Sequence, residues 1–153
     1  MSQRVLREYR RLVAAGGAAN ESNLHPTDPA DLTHWEATLE GPQGTPYEGH
    51  SFPLRVTVPD KYPTLPPSVC FPKRTMPHPN VKWDTGEVCL DTLAGGWTPV
   101  MDLQYAVMAV RRLLAEPNPE SPLNLELAAL SRLGDHKAYD GIIKYRLAHS
   151  SIK

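Results

Sequence analysis

Two stretches of strict alternation constrain this chain more than any other feature. From Leu32 to Glu40 the residues Trp35, Ala37 and Leu39 fall on one side, with His34, Glu36, Thr38 and Glu40 on the other. Ser51 to Val58 repeats the pattern through Phe52, Leu54, Val56 and Val58. A period of two is that of a strand with one face buried and one in water. The Gly41-Pro42-Gln43-Gly44 turn closes the first stretch, and Val69 with Phe71 begins a third short strand between proline-rich loops. Neighbouring strands joined by short loops predict an antiparallel meander. Pro53 sits on the polar face, where its missing N–H is tolerable only at an edge or a bulge.

The rest of the periodicity is helical. Val5, Tyr9, Leu12 and Val13 recur at helix spacing from Arg4 to Ala15, and Gly16-Gly17 stops the pattern. Between Asp102 and Ala115 a stripe of Leu103, Val107, Val110 and Leu114, flanked by Ala106 and Leu113, predicts a central helix behind the sheet. Pro117, Pro119 and Pro122 interrupt the chain, and helical spacing returns over Leu123 to Leu133 and His136 to Ala148. Without repeats, linker or low-complexity tail, residues 1–153 read as one α/β (α+β) domain. That length buries roughly 70% of the surface its unfolded form exposes, so no disulfide, metal or cofactor is expected to support it.

A formal net charge of -1 argues against nucleic-acid binding, which favours a basic excess. No run approaches a membrane span, the N-terminal Met-Ser-Gln-Arg lacks a secretory core, and Ser151-Ile152-Lys153 is not the Ser-Lys-Leu peroxisomal address. With two cysteines, Cys70 and Cys89, a reducing, cytoplasmic setting is expected, without direct membrane insertion.

From Met76 to Pro99 the periodicity vanishes, as in a functional loop. This segment holds His78-Pro79-Asn80, then Cys89 in Gly86-Glu87-Val88-Cys89-Leu90-Asp91, then Trp97-Thr98-Pro99. A cysteine is a strong nucleophile even when only a few per cent is thiolate, and an asparagine amide can donate to a developing oxyanion. Cys70, in the third strand, reads instead as a small buried hydrophobe.

In these motifs, and in Tyr62-Pro63-x-x-Pro66-Pro67, Gly41-Pro42 with Tyr47-Glu48-Gly49, and Ser121-Pro122-Leu123, the chain resembles the ubiquitin-conjugating enzymes over nearly its whole length. The resemblance implies an antiparallel sheet of about four strands flanked by helices. It implies that Cys89 takes ubiquitin as a thioester from the ubiquitin-activating enzyme and passes it to a lysine with a RING-type ubiquitin ligase. Asn80 would support the oxyanion, with a loop-stabilising role as the alternative, and His78 and Pro79 would be structural. Ser121 would orient the incoming amine, with a turn serine before Pro122 as the alternative, and Asp91 would either add acidity beside Cys89 or bond loop amides. Arg4, Arg7 and Arg11, on one face of the first helix, would meet the activating enzyme, with Thr64, Trp97 and Pro99 on the ligase surface. Thr64 stands where many members carry phenylalanine, and Val100 where alanine is common, which predicts a restricted set of ligases.

The Thr85-to-Cys89 approach, the Trp97-Thr98-Pro99-Val100 loop and the Ser121-to-Asp135 stretch most resemble the peroxisomal branch of the family. That implies an enzyme held at the cytosolic face of the peroxisomal membrane by a membrane-anchored peroxin, acting on the cycling import receptor. Tyr139, Ile142, Ile143 and Leu147 on the last helix are the candidate tether face, with a core role as the alternative. A conjugating enzyme for another ubiquitin-like modifier, or a noncatalytic ubiquitin-binding variant, remain the other readings.

Overall fold

The alternation of the strands becomes a four-stranded antiparallel sheet with helices packed on one face. In this computed structural model, which describes residues 3–16, 20–88, 96–118, 120 and 122–149, the order is α1 (Gln3–Ala15), β1 (His25–Asp28), β2 (Asp31–Glu40), β3 (Ser51–Thr57), β4 (Ser68–Cys70), α2 (Leu103–Ala115), α3 (Leu125–Leu133) and α4 (His136–Ala148). The strands lie in the order β1-β2-β3-β4, each antiparallel to the next. Trp35 pairs with Val56, Ala37 with Leu54 and Leu39 with Phe52, so the apolar halves of both strands meet on the buried face. Trp35 is fully buried, and its indole N–H donates to the Leu32 carbonyl at 2.8 Å.

β1 is the strand that periodicity did not reveal. Its sequence His-Pro-Thr-Asp buries only Pro26, so there is no alternation to read. Backbone pairing to β2 forms it, with His25 opposite Glu36 and Pro26 opposite Trp35. Pro53 lies in a strand with neighbours on both sides, yet β4 reaches only Arg55 to Thr57. At Pro53 only β2 is alongside, opposite Thr38, so the absent N–H faces an open edge.

α2 packs Leu103, Ala106, Val107, Val110, Leu113 and Leu114 into the core. Each fully buried aliphatic side chain there contributes ~1.5–3 kcal/mol. Its first turn is capped by Asp102, whose carboxylate accepts the Tyr105 N–H at 2.7 Å. On α4, Ile143 is fully buried, and Tyr139, Ile142 and Leu147 pack against the same cluster. The apolar stripe of the last helix is therefore core, and any partner on α4 must use its outer side.

Candidate functional site

The His78-Pro79-Asn80 loop is as buried as the sheet. Met76 through Val81 are all inaccessible, although none of them belongs to a helix or a strand. Buried backbone outside regular structure needs other hydrogen-bond partners, and here side chains supply them. The Tyr47 hydroxyl donates to the Pro77 carbonyl at 2.6 Å. His78 Nε2 donates to the Leu113 carbonyl of α2 at 2.7 Å, and its Nδ1 accepts the Asn80 N–H at 3.0 Å. The Pro79 carbonyl accepts the Leu123 and Asn124 N–H groups at 2.8 and 3.0 Å, which ties the loop to the start of α3.

With both ring nitrogens engaged, His78 has no lone pair left to take a proton. Burial pushes its pKa down to about 4, opposed only by the Leu113 bond, so the ring is neutral at physiological pH. Asn80 is fully buried as well. Its Nδ2 donates to the Asn118 carbonyl at 2.7 Å, and its Oδ1 accepts the Asn118 N–H at 2.8 Å. Asn118 Oδ1 in turn accepts the Glu120 N–H at 3.0 Å. The loop asparagine thus fastens the proline-rich segment that leads to Ser121.

Downstream, the chain folds back on itself. Val81 bridges Val88, the Lys82 N–H donates to the Glu87 carbonyl at 2.9 Å, and the Gly86 N–H donates to the Lys82 carbonyl at 2.8 Å. This turn lies against β4, with Cys70 bridged to Glu87 and the Phe71 N–H donating to the Gly86 carbonyl at 2.8 Å. Gly86 adopts φ +83, and a Cβ there would stand 1.8 Å from the Phe71 carbonyl oxygen, so only glycine fits. Val88, the residue before Cys89, is 2% exposed and anchored in the core. Cys89, Asp91 and Ser121 themselves lie outside the described residues. Cys70 is half-buried in β4, and burial raises its thiol pKa above the ordinary value.

The expected partner face divides. Arg7 and Arg11 are exposed on α1, and Arg11 reaches the Asp102 carboxylate at 3.8 Å. Arg4 is turned inward instead: its guanidinium donates to the Pro99 carbonyl at 2.7 Å and to the Met101 carbonyl, and pairs with Glu8 at 3.1 Å. Thr64 and Pro99 are exposed, and Trp97 is half-buried with its indole N–H on the Pro63 carbonyl at 2.8 Å. Beside them Leu65 is 47% and Val100 88% exposed, which adds apolar area to this surface.

Sequence reasoning also missed Glu8 and Asn118, and it took Tyr47 only as part of a motif. Glu8 had a visible signal: a carboxylate four residues from Arg4, inside the apolar stripe of Val5, Tyr9 and Leu12. Asn118 had none, because its bonds to Asn80 are made by its backbone.

The sequence profile of the family described as "Ubiquitin-conjugating enzyme" matches residues 4–146. The chain is 48% identical over 127 residues to the Saccharomyces cerevisiae "Ubiquitin-conjugating enzyme E2-21 kDa", covering 82% of this chain and 69% of that protein. It is 38% identical over 139 residues to "Protein PEROXIN-4" of Arabidopsis thaliana, covering 91% and 87%. Among solved structures, the H. polymorpha ubiquitin conjugating enzyme Pex4p, crystallised with the soluble domain of Pex22p, superposes with a TM-score of 0.85 at 33% identity, covering 97% of this chain and 96% of that one.

Proposed function

The chain belongs to the ubiquitin-conjugating enzyme family, and from that premise we propose that Cys89 is the residue that carries ubiquitin, within one conjugating domain. Its thiolate attacks the carbonyl carbon of the thioester that the activating enzyme presents, and a tetrahedral oxyanion forms. Collapse expels the activating enzyme's cysteine as thiolate and leaves ubiquitin on Cys89. In the second step a neutral lysine amine attacks the new thioester, the Cys89 thiolate leaves, and the amine loses a proton to become an amide. The observation that carries the assignment is the turn of residues 81–88, bonded onto β4 next to the buried His78-Pro79-Asn80 loop, which leads directly into Cys89.

Asn80 acts first by holding the segment before Ser121. We assign Asn80 a second role as an amide donor toward the developing oxyanion. Such a donor can be worth ~3 kcal/mol in the transition state. Ser121 orients the amine without adding charge. Arg7 and Arg11 meet the activating enzyme, while Thr64, Leu65, Trp97, Pro99 and Val100 form the surface for a RING-type ligase.

The work is carried out at the cytosolic face of the peroxisome, on the cycling import receptor, with a membrane-anchored peroxin as tether. The name Protein PEROXIN-4 supports the peroxisomal setting, and the crystallised pair of Pex4p with the soluble domain of Pex22p supports a tether. Among the described residues no helix is long and apolar enough to cross a membrane, so attachment through a partner is in keeping with the chain. The outer side of α4 offers that partner Tyr145, 64% exposed, at a groove of about 420 Å³ shared with Trp83 and Arg146.

The purified protein, incubated with ubiquitin, activating enzyme and ATP, should form one thiol-labile adduct, located on Cys89 by mass spectrometry. An adduct with a different ubiquitin-like modifier instead of ubiquitin would move the assignment to that modifier. Absence of any adduct would leave the noncatalytic reading.

A further inference from the structure

Glu8 is 3% exposed, on a helix whose neighbours Arg7 and Arg10 lie in water. Burying a carboxylate costs several kcal/mol unless it is paired and fully hydrogen-bonded. Here one oxygen accepts the Leu103 N–H at the first turn of α2, at 2.8 Å. The other accepts the Tyr62 hydroxyl at 2.6 Å and faces Arg4 Nε at 3.1 Å. Arg4 lies over the Tyr62 ring at 6.0 Å and bonds the Pro99 and Met101 carbonyls. Trp97 completes the circuit, with its N–H on the Pro63 carbonyl and its ring 5.9 Å from that of Tyr62.

Replacing a whole buried ion pair by apolar residues of similar volume is often neutral or stabilising, so core stability alone is a weak reason for the Arg4 and Glu8 pair. Its bonds run to backbone atoms and a phenol of two loops whose outward residues are Thr64 and Leu65 on one, Pro99 and Val100 on the other. We infer that Arg4 and Glu8 form a positioning pair that locks these two partner-facing loops to α1 and to the start of α2, so that partners meet one preassembled surface. This rests on the conjugating function proposed above. Arg4 thereby acts through the loops rather than as a free cation, and Glu8 touches no partner. Holding loops in their bound arrangement lowers the ordering cost of association and leaves the chemistry at Cys89 alone.

Glu8→Gln keeps size and most hydrogen bonding but removes the charge that holds Arg4. With the ligase concentration varied in an assay of ligase-stimulated discharge from the charged protein, the KM for ligase should rise on the order of tenfold while kcat stays within about twofold. Discharge of the preformed thioester to free lysine, without ligase, should stay at the wild-type rate. Combined with Arg4→Ala, Glu8→Gln should add little, because the two residues are one unit. Additive losses would mean that Arg4 contacts the partner directly and would overturn the pair, as would an unchanged KM or an equal fall in ligase-free discharge. Should Glu8→Gln not fold, Tyr62→Phe removes one bond and no charge and should give the same KM-only pattern at smaller size. A wild type that takes no ubiquitin would sink the conjugating reading itself. A wild type that charges normally beside an unchanged variant sinks only the positioning pair.

Discussion

Asn80 and Asn118 close a ring of two hydrogen bonds, the side chain of one against the backbone N–H and carbonyl of the other, at 2.8 and 2.7 Å. Asn80→Ala leaves both backbone groups of Asn118 without these partners, a cost of about 2 kcal/mol for a buried pair. The melting temperature should fall by several degrees, and transfer to lysine should fall with it. Transfer reduced on the order of 10²-fold in a variant that melts like wild type would instead make direct oxyanion donation the main role of the residue.

Cys70→Ala should charge with ubiquitin as wild type does, whereas Cys89→Ala should not charge at all. Cys70 is half-buried, and burial holds its thiol pKa up, with Glu87 adding to that and Arg55 opposing it. Less of it is thiolate at neutral pH, and iodoacetamide at pH 7 should label it slowly. Cys89→Ser should form an oxyester that hydrolyses more slowly than the thioester. Loss of charging in Cys70→Ala together with retention in Cys89→Ala would reverse the assignment.

His78 predicts a pH window for stability. Its folded pKa is about 4 against an ordinary 6.5, so between those values the unfolded chain binds a proton that the folded one refuses. The stabilisation is full above 6.5 and is lost as pH falls toward 4, by up to ~1.4 kcal/mol per pH unit. Urea unfolding of the wild type at pH 7 and pH 5 should show this loss, and His78→Gln should lack that component of the slope. Equal slopes in the two proteins would place the titration elsewhere.

Ligase response should depend on Leu65 and Val100. Both are exposed, so Leu65→Ala and Val100→Ala should leave the melting temperature within about 1 °C while weakening ligase-stimulated discharge, since large apolar side chains are the usual anchors of such interfaces. Thr64→Phe should broaden the set of ligases that act. A ligase panel that responds to none of the three would remove these loops from the interface.

Tether binding should be separable from chemistry. Lys137, Lys144 and Tyr145 lie exposed on the outer side of α4. Lys137→Glu with Lys144→Glu, or Tyr145→Ala, should release the protein from peroxisomes while its unassisted charging rate stays at the wild-type level. A fluorescently tagged variant that still decorates peroxisomes would exclude this face.

Much of the fold was legible because burial imposes a period on the residues that it covers. Trp35, Ala37 and Leu39 could be assigned to the core from spacing alone, and the helix stripe of Leu103, Val107, Val110 and Leu114 likewise. β1 was not legible, since backbone pairing makes it a strand and its side chains leave no pattern. The importance of residues 78–80 could be read only through motif resemblance, because an irregular buried loop has no period. How it is held depended on tertiary structure: Leu113, Asn118 and Leu123 contribute backbone groups, which every residue type but proline carries in full.

The same division governs charge. Sequence placed Arg4, Arg7 and Arg11 together on one helical face, which follows from 3.6 residues per turn. It could not tell that Arg4 turns inward while Arg7 stays in water, because that depends on what lies opposite. The sequence by itself determined the helices and the later strands with their antiparallel order, through local spacing, and the candidate nucleophile, through motif resemblance. The tertiary structure decided which polar groups are consumed internally. Glu8 and Asn80 are held by partners 54 to 95 and 38 residues away, and no local pattern records a contact whose two halves meet only when the chain has folded.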